Sequence, residues 1–530
     1  WWRWPELLLL LLLVVLPRPR WPEPGGEKLI IRSDKVRLID ILSMLLLRRP
    51  ITSYSFVEAS DQTTLDVGDE SGGIIVPLTE IILKFLAAAY WPAKVISVAL
   101  EFLLNFVALN GGMLGLGIIW NIFRCKLVIP LDREAPDFRT IIGMIDGRTK
   151  LKPATLEMAG GGDMRQLQVH ETVVFGEAND LESGGCTMAA LLVQQQYLVP
   201  EVTVMAAKIA YENQAYIENV VNNVWKFNFV GFYNGWNKFL HQDTTQAFVM
   251  TDRAKDASAV VLAFRGTEPF NTTDWSTDVE LSWLGLGAMG NVHLGFLKAL
   301  GLQEEDPKDP KRAFPRKDKG AAPKGKFFAY YQLREVVREQ LKKHPAARLI
   351  VTGHSLGGAL AAIFPALLAL HGEKDLLGRL GDVLTYGQPR VGDSTFVDFL
   401  STATKAARYD RVVYRYDIVP RVPFTAPVAK YSHGGTCVYY DGWYDGKELA
   451  GDEPDPNYFD PRYVLSKYGN AVGDLVKGAF LWASAGRDYR EGLISLLYRC
   501  GGLIFPGFAS HSPRDYVDAI RLGRIAPKQI

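Results

Sequence analysis

The first quarter of the chain contains two stretches that are more apolar than a soluble core requires. The first, Leu7–Leu16, is an unbroken run of leucine and valine behind Arg3, which is the arrangement of a secretory signal core. The sequence that follows, PRPRWPEP, lacks the small residues of a cleavage site. The run is also shorter than the roughly 20 residues that span a bilayer. We therefore do not expect secretion, and a signal peptide stays the alternative.

The second apolar stretch extends from Ile81 to Phe123, and from Val95 onward its one charged residue is Glu101. Residues that disfavour a helix interrupt it at Asn110, Gly111, Gly112, Gly115 and Gly117. Two apolar arms joined by a glycine turn can enter a phospholipid monolayer and return to the same side. We predict that residues 1–124 form a hydrophobic, lipid-associating region with such a hairpin. A buried core helix and a single transmembrane helix are the alternatives.

Beyond Arg124 the pattern becomes that of a globular protein, with a mixed connecting region at 125–205 and a larger domain at 206–530. Apolar residues recur every three or four positions from Leu191 to Trp225, which predicts helix. Further on, β-branched and aromatic runs predict strands at Ala259–Phe264, Arg348–Thr352, Val383–Tyr386 and Val412–Tyr416, with a helix at Tyr330–Lys343. This alternation predicts an α/β fold with a mostly parallel sheet. A proline-rich stretch of mixed charge, 303–326, predicts a solvated surface insertion.

Charge and cysteine content exclude several classes of function. The 59 lysines and arginines nearly balance the 58 aspartates and glutamates, so the net charge of +1 provides no field for holding nucleic acid. Four scattered cysteines form neither a disulfide framework nor a metal-binding motif. We therefore expect a reducing, intracellular compartment, no metal, no organic cofactor and no nucleic-acid partner.

One segment, IVTGHSLGGAL, has the pattern of a catalytic nucleophile, because Gly353, Ser355 and Gly357 form a G-x-S-x-G motif. The motif alone arises by chance, so its context decides. An apolar strand precedes it and a helix of small residues, Gly358–Leu370, follows it. The sharp turn between strand and helix projects the serine hydroxyl, and the helix N-terminus favours developing negative charge. We predict that Ser355 is a nucleophile.

A serine hydroxyl needs a histidine that accepts its proton and a carboxylate that orients the histidine. After this type of elbow the chain order is serine, acid, histidine. Asp417 directly follows the predicted strand VVYRY, at the sheet edge where the acid belongs, and we predict that it is the acid. Asp382 precedes its strand and Asp393 lies beyond a GQPRVG loop, so both fit less well.

Two histidines, His433 and His511, follow Asp417 in the chain. His511 lies between a glycine-containing loop and a helix-like segment, so its ring can reach the elbow, and we predict that it is the general base. His433 is close to the acid in sequence and is interpreted as structural. His354 and His293 are interpreted as non-catalytic, the first because its side chain points away from the nucleophile.

Acyl transfer also needs hydrogen-bond donors for the oxyanion. The elbow supplies the backbone N–H of Leu356, and the loop VVLAFRGTEP offers Thr267, with a plain turn as the alternative. The following segment, 270–290, is rich in large apolar residues and is interpreted as a lid that opens onto lipid, with core packing as the alternative. These residues are Phe270, Trp275, Leu281, Trp283, Leu284, Leu286 and Met289.

The motifs AFRGT, NVHLGF, VTGHSLGGALA, YGQPRVGD, YRYDIVPRVP and YSHGG, with an apolar segment around DW, occur here in the order found in fungal-type class three lipases. The resemblance extends over roughly Tyr211–Arg521. It implies an α/β-hydrolase fold, a triad of Ser355, Asp417 and His511, and an oxyanion hole at Thr267 and Leu356. The hydrophobic N-terminal extension, the charged insertion and the HSPRDYV ending further resemble plant oil-body triacylglycerol lipases.

The sequence therefore predicts a serine hydrolase that cleaves triacylglycerol through an acyl-enzyme. Its expected partners are lipid and the surface of a lipid droplet or intracellular membrane, on the cytosolic side. The alternatives are a phospholipid or galactolipid acyl hydrolase and a catalytically silent lipid-droplet scaffold. Two departures from the family pattern are the poly-leucine start and a longer, more glycine-rich lid segment.

Overall fold

A computed structural model describes residues 27–60, 73–111, 116–151, 188–268, 280–301, 322–426, 428–449, 451–484 and 492–525. Several predictions therefore lie outside the described residues. These are the Leu7–Leu16 run, Gly112 and Gly115 of the glycine turn, Phe270 and Trp275 of the lid segment, and most of the 303–326 insertion.

The secondary structure alternates strands and helices through most of the second half of the chain. The strands are β1 (Lys28–Ile31), β2 (Val57–Ala59), β3 (Asn228–Asn237), β4 (Gln242–Thr251), β5 (Ala259–Phe264), β6 (Trp283–Gly285), β7 (Asn291–His293), β8 (Arg348–His354), β9 (Leu380–Tyr386), β10 (Arg408–Tyr414), β11 (Thr436–Tyr440), β12 (Asp445–Leu449) and β13 (Arg524–Ile525). The α-helices are α1 (Leu38–Leu47), α2 (Ile75–Leu109), α3 (Leu116–Phe123), α4 (Ile141–Ile145), α5 (Met188–Ile209), α6 (Gln214–Asn219), α7 (Leu294–Leu300), α8 (Ala329–Lys343), α9 (Leu356–Leu370), α10 (Lys374–Leu377), α11 (Ser394–Ala403), α12 (Val464–Ser484), α13 (Leu493–Gly501), α14 (Pro506–Ala509) and α15 (Pro513–Leu522). Single turns of 3₁₀-helix occupy Ile51–Ser53, Gly287–Met289, Val419–Arg421 and Pro461–Tyr463, and a π-helical turn occupies Val220–Val224.

Nine of these strands form the main sheet, in the order β13-β12-β11-β10-β9-β8-β5-β4-β3. The centre of the sheet, from β5 to β11, is parallel. The β3–β4, β4–β5 and β11–β12 pairs are antiparallel, and the short edge strand β13 pairs parallel with β12. This arrangement confirms the predicted mostly parallel α/β sheet. The carboxyl ends of β8, β9 and β10 lie along one edge, because parallel neighbours run in the same direction. In open α/β sheets that edge is where ligands bind.

Helices cover both faces of the sheet, which explains why the central strands are apolar on both sides. Apolar side chains of α7, α8 and α9 pack with β5 and β8 on one face. Helices α5 and α15 pack on the other face. All six residues of β5, AVVLAF, are buried. A fully buried Val, Leu or Phe side chain contributes about 1.5–3 kcal/mol, so burial in these two layers stabilises the packing of helices on the sheet.

The predicted strand bounds are accurate where both faces are apolar and shift where polar residues intervene. The strand predicted at Val412–Tyr416 is β10, which begins at Arg408 and ends at Tyr414. Charged residues hide the beginning of this strand from an apolar pattern, since Arg408 and Asp410 pair with each other. The backbone of Arg415 has a φ of 33°, which ends the extended conformation before Asp417.

A second, smaller sheet has the order β2-β1-β6-β7 and joins the N-terminal region to the lipase-like half of the chain. In it Leu29 pairs with Trp283, and the backbone N–H of Ile31 donates to the Ser282 hydroxyl. The lid interpretation is therefore wrong for the second part of its segment. Trp283 and Leu284 are buried in β6, which pairs with β1. The other apolar residues of this part are buried in the adjacent core: Leu281, Leu286 and Met289.

The predicted hairpin differs from the structure in the length of its arms. Helix α2 alone has 35 residues, whereas α3 has eight. Among the described residues, α2 is the one helix long and apolar enough to cross a membrane by length and composition. Amide side chains hold the returning chain, because Asn105 bonds the backbone of Arg139 and Asn110 bonds the backbone of Val128. The boundaries at 124 and 205 stay predictions.

Candidate active site

The G-x-S-x-G segment forms a sharp turn between β8 and α9. Ser355 occupies this turn with φ 61° and ψ −133°, a backbone conformation that side-chain-bearing residues rarely adopt. The glycines on either side of Ser355 are required because a side chain at either position would clash with neighbouring backbone atoms. A Cβ on Gly353 would lie 2.2 Å from the carbonyl carbon of Gly357, and a Cβ on Gly357 would lie 2.4 Å from the carbonyl oxygen of Phe264. The turn thus exists because strand and helix approach each other closely.

The structure brings Ser355, His511 and Asp417 together in a hydrogen-bonded chain. Nε2 of His511 lies 2.7 Å from Oγ of Ser355, and Nδ1 of His511 lies 2.7 Å from Oδ2 of Asp417. A carboxylate can only accept, so Nδ1–H donates to Asp417. Nε2 of a neutral ring then accepts the serine proton. All three side chains are buried, and Ser355 and Asp417 have no exposed surface. This arrangement can activate a hydroxyl for nucleophilic attack.

Two further donors hold the Asp417 carboxylate. The Tyr516 hydroxyl donates to Oδ2 at 2.5 Å, and the backbone N–H of Val419 donates to Oδ1 at 2.8 Å. Burial and the Asp417 charge raise the pKa of Tyr516 well above its usual value, so Tyr516 stays a donor. Beside them Gly387 has φ 58°, and a Cβ there would lie 2.8 Å from Oδ2 of Asp417. The fully buried Arg421 donates to the backbone carbonyl of Asp417 and fixes the turn that carries it.

His354 bonds the backbone of His511, the candidate base. Its Nε2 lies 3.0 Å from the backbone carbonyl oxygen of His511, and its Nδ1 lies 2.8 Å from the Tyr211 hydroxyl. Because a carbonyl only accepts, Nε2–H donates to it and Nδ1 accepts from Tyr211. Burial and the neighbouring His511 ring lower the pKa of His354, which keeps the ring neutral. Both ring nitrogens therefore bond groups other than the serine hydroxyl, and the contact with the backbone of His511 was not predicted from the sequence.

The two predicted oxyanion residues lie on the two segments that flank Ser355. Leu356 is the first residue of α9, and the first N–H groups of a helix have no partner within the helix. Thr267 is buried in the loop after β5. A Cβ on its neighbour Gly266 would lie 2.9 Å from Cβ of Ser355, so this loop runs directly against Ser355. Their role as oxyanion donors stays a prediction.

The alternative acids and base have structural contacts elsewhere. Asp393 caps α11 by accepting from the backbone N–H of Phe396 at 2.8 Å. Asp382 lies within β9, away from its carboxyl end. The His433 ring donates through Nε2 to the carbonyl oxygen of Pro420 at 2.6 Å. Burial lowers the pKa of His433 well below its usual value, so the ring is neutral.

His433 lies close to Asp452 and Glu453. Among the described residues, these three form the one cluster whose side chains are close enough together to bind a metal ion. The buried guanidinium of Arg411 lies 3.5 Å from each of the two carboxylates. Burial would raise the pKa of Glu453, but with His433 neutral the nearby arginines, Arg411 and Arg421 among them, outweigh it and hold this pKa below its usual value. Arginine therefore supplies the positive charge that these carboxylates need. We interpret the group as an ion-pair cluster that anchors the loop at 452–455.

We expect Tyr516→Phe to reduce kcat on a soluble short-chain ester about tenfold, with little change in KM. The variant removes one charge-assisted hydrogen bond to Asp417, which is typically worth about 1.5–3 kcal/mol, and the other two partners remain. The matched control is Tyr330→Phe, which removes a buried hydroxyl bonded to His371 on the opposite face of the sheet. An unchanged kcat for Tyr516→Phe would contradict a role for Tyr516 in positioning the acid.

The buried ring of His293 is expected to make the stability of the fold depend on pH. Its ring is fully buried, stacks on Phe296 and donates to the carbonyl oxygen of Glu280 at 2.7 Å, and burial lowers its pKa to about 4 from 6.5. The unfolded chain binds this proton more tightly, so its contribution is complete above pH 6.5 and is lost as the pH falls toward 4. Lowering the pH therefore destabilises the wild-type protein more than His293→Gln. We expect the acid-induced loss in the free energy of unfolding to be about 3 kcal/mol smaller in the variant.

Urea unfolding at pH 7 and pH 4 measures this difference. The control is His241→Gln, which removes an exposed histidine. An equal acid-induced loss of stability in the wild-type protein and His293→Gln would contradict the assignment of this titration to His293.

Comparisons with known proteins agree with this fold. The model of the family "Lipase (class 3)" matches residues 261–426. Triacylglycerol lipase OBL1 of Arabidopsis thaliana is 35% identical over 519 residues, which cover 95% of this chain and 96% of the relative. The protein of the same name from Nicotiana tabacum is 35% identical over 87% of this chain and 86% of the relative.

Fungal enzymes match a smaller part of the chain. A lipase of Rhizopus niveus is 31% identical over 186 residues, which cover 35% of this chain and 39% of the relative. Among solved structures, the triacylglyceride lipase of Rhizomucor miehei covers 46% of this chain and 80% of its own, with 22% identity and a TM-score of 0.35. The plant relatives match nearly end to end and carry the assignment: this chain belongs to the class 3 lipases, together with the plant triacylglycerol lipases, and is a carboxylic ester hydrolase with an α/β-hydrolase fold.

Proposed function

We propose that this lipase hydrolyses triacylglycerol through an acyl-enzyme formed on Ser355, with His511 as general base and Asp417 as the orienting acid. The observation that supports this most directly is the continuous hydrogen-bonded chain from Oγ of Ser355 through His511 to Asp417, with both distances at 2.7 Å. The plant relatives that match nearly the whole chain are triacylglycerol lipases by name, which supports the choice of substrate.

In the proposed first step, Nε2 of His511 takes the proton of Ser355 while Oγ attacks the ester carbonyl carbon. The oxyanion accepts hydrogen bonds from the backbone N–H of Leu356 and from Thr267. His511 then donates its proton to the departing diacylglycerol oxygen, which leaves the acyl group on Ser355. In the second step a water molecule gives a proton to His511 and attacks the acyl carbonyl. The fatty acid leaves and the proton returns to Ser355.

We propose that the enzyme works at the surface of a lipid droplet or intracellular membrane, with the catalytic domain in the cytosol. Helices α2 and α3 support this, because their large side chains face outward while several polar ones face inward. Exposed examples are Phe85, Trp91, Val95, Phe102, Trp120 and Phe123. Inward-facing Glu101 and Asn105 bond the chain that returns along α2, at Arg133 and Arg139. An outer face of this composition suits a phospholipid monolayer.

Purified enzyme tests the substrate. We expect hydrolysis of emulsified triolein well above that of phosphatidylcholine or galactolipid vesicles, with fatty acid release measured by titration. Preferred hydrolysis of a polar lipid would identify a phospholipid or galactolipid acyl hydrolase instead. No release from any of the three, with the protein still bound to the emulsion, would identify a catalytically silent scaffold.

Introducing charged residues on the exposed face of α2 tests whether this helix binds the enzyme to lipid droplets. We expect Val95→Glu/Phe102→Glu to move the protein from floated droplets to the soluble fraction at least about tenfold, because two exposed apolar side chains leave the lipid. Hydrolysis of a soluble short-chain ester should not change. Point charges are preferable to deletion of Ile81–Phe123, since Leu83 packs against Val419 and Phe424 beside Asp417.

The control for this experiment is Leu240→Glu, in the turn between β3 and β4 at the far edge of the sheet. A second arm fuses residues 75–123 to a fluorescent reporter, which we expect on droplets. A cytosolic reporter, together with unchanged flotation of the double variant, would contradict lipid insertion of this segment.

A further inference from the structure

Helix α12 is amphipathic in the reverse of the usual sense. Its large apolar side chains recur three or four residues apart and face outward, with Leu465 87% exposed, Val476 62% and Phe480 67%. Its three charged residues within 464–481 are all buried, and none of the exposed positions there carries a charge. A soluble helix places its apolar stripe against the core and its charges in water. Here the core side is polar.

The inward polar groups satisfy one another and the sheet. Asp474 accepts from the Tyr414 hydroxyl at 2.7 Å and from Nζ of Lys477 at 3.0 Å. Lys477 also donates to the carbonyl oxygen of Gly442 at 2.6 Å, and Asn470 donates to Asp474 at 3.0 Å. This network fixes which side of α12 faces the protein, because turning the helix would leave buried charges without partners.

Helix α13 has the same reversal and packs beside α12. Its inward Arg499 donates to Asp515 at 3.0 Å, and its inward Ser495 accepts from Arg514 at 2.9 Å. Leu497 points outward, as does Ile504 after the helix. We define the C-terminal apolar face as the outward side chains of these elements, Leu465, Val472, Val476, Phe480, Leu497 and Ile504.

The C-terminal apolar face is connected to the candidate triad. The residues that bind α13, Arg514 and Asp515, begin α15, and the next residue of that helix is Tyr516, which donates to Asp417. Helix α14 leads directly into His511, and the carbonyl oxygen of its Gly507 accepts from the backbone N–H of Ile418. These hydrogen bonds connect the face to the segments that carry Asp417 and His511.

We propose that the C-terminal apolar face is a second lipid-contacting surface, separate in sequence from α2 and α3, which seats the catalytic unit on a phospholipid monolayer. This inference rests on the proposed function, since it concerns where that site meets its substrate. A lipid surface suits the face for two reasons. Its inward polar groups are already engaged with the protein. No exposed position within 464–481 carries a charge that a specific protein partner would pair with, and the exposed polar side chains there, Ser466 and Tyr468, are uncharged.

A site-specific fluorescent label tests the proposal. The label is placed in a Ser355→Ala background, so that the enzyme does not hydrolyse the emulsion during the measurement. The cysteines at 125, 186 and 500 are changed to serine. Cys437 is buried and is kept. An environment-sensitive nitrobenzoxadiazole label is placed on Val476→Cys and, as the matched control, on Leu240→Cys. On adding triolein emulsion coated with phosphatidylcholine, we expect emission to rise severalfold and shift to the blue for position 476 and to stay constant for position 240.

Unchanged emission at position 476 while the protein floats with the emulsion would overturn the proposal. A protein that elutes as a dimer with position 476 already blue-shifted before lipid is added would also overturn it, in favour of a second copy as the occupant. The proposed function is judged separately, by triolein hydrolysis of the wild-type enzyme in the same emulsion, so either idea can fail while the other stands.

Two charges on the C-terminal apolar face provide a functional readout. In Val472→Glu/Val476→Glu we expect triolein hydrolysis to fall about tenfold or more, while hydrolysis of a soluble short-chain ester stays at the wild-type rate, which also shows that the variant is folded. Leu240→Glu is the control. Equal loss on both substrates would overturn the proposal, because it would place the effect on the fold and not on lipid contact.

Discussion

Replacing Ser355 by alanine is expected to leave a folded protein with almost no esterase activity. The backbone at this position already has φ 61°, which alanine tolerates about as well as serine, and the side chain becomes smaller in a fully buried site. The acyl-enzyme can no longer form, because the variant has no Oγ next to Nε2 of His511. By analogy with other serine hydrolases, kcat should fall by roughly four to six orders of magnitude.

The measurement is hydrolysis of a soluble short-chain ester, which separates chemistry from lipid binding. The control is Ser282→Ala, another buried serine, whose hydroxyl accepts from the backbone N–H of Ile31 in the small sheet. That change should lower the melting temperature and leave kcat nearly unaltered. If Ser355→Ala kept activity within about tenfold of the wild-type enzyme, the serine mechanism would be wrong.

The arrangement at the sheet edge was predictable from sequence because its parts follow local rules. An apolar strand, a G-x-S-x-G turn and a helix of small residues fix the elbow within about twenty residues. The candidate acid, Asp417, and the candidate base, His511, then follow from chain order and from their positions relative to predicted elements. The fold class was predictable for a similar reason, since the central strands are apolar on both faces and helices separate them.

The supporting contacts were not predictable, because they join residues far apart in the chain. Tyr516 and Asp417 are 99 residues apart, and Tyr211 and His354 are 143 apart. A buried tyrosine in an amphipathic helix looks like ordinary core until its hydroxyl partner is known. The small sheet is harder still, since β1 and β6 are only four and three residues long. Nothing local distinguishes such strands from loop.

Helix α12 illustrates a different limit of sequence reasoning. Apolar periodicity locates one face of a helix but does not say whether that face meets protein, water or lipid. The usual assumption places the apolar face inward, and for α12 it is reversed because Tyr414 and Gly442 on the sheet side provide polar partners for Asp474 and Lys477. Only the tertiary structure reveals those partners.

The same distinction between local motif and tertiary contact separates the two candidate bases. We expect His511→Ala to lose activity on a soluble ester nearly as completely as Ser355→Ala, because the ring that lies 2.7 Å from both Oγ of Ser355 and Oδ2 of Asp417 is removed. His433→Ala should instead weaken the fold. Its neutral buried ring donates to Pro420 and lies beside Glu453, so its loss leaves a cavity and an unpaired carbonyl.

We expect His433→Ala to lower the free energy of unfolding by about 2–4 kcal/mol, while the folded fraction retains kcat within about tenfold of the wild-type value. Urea unfolding and ester hydrolysis, both at 20 °C, measure the two effects on the same preparation. The contrast is decisive because both histidines follow Asp417 in the chain, and only the site geometry distinguishes them. An inactive but stable His433→Ala beside an active His511→Ala would show that the general base is His433 and that the hydrogen-bonded chain through His511 has no catalytic role.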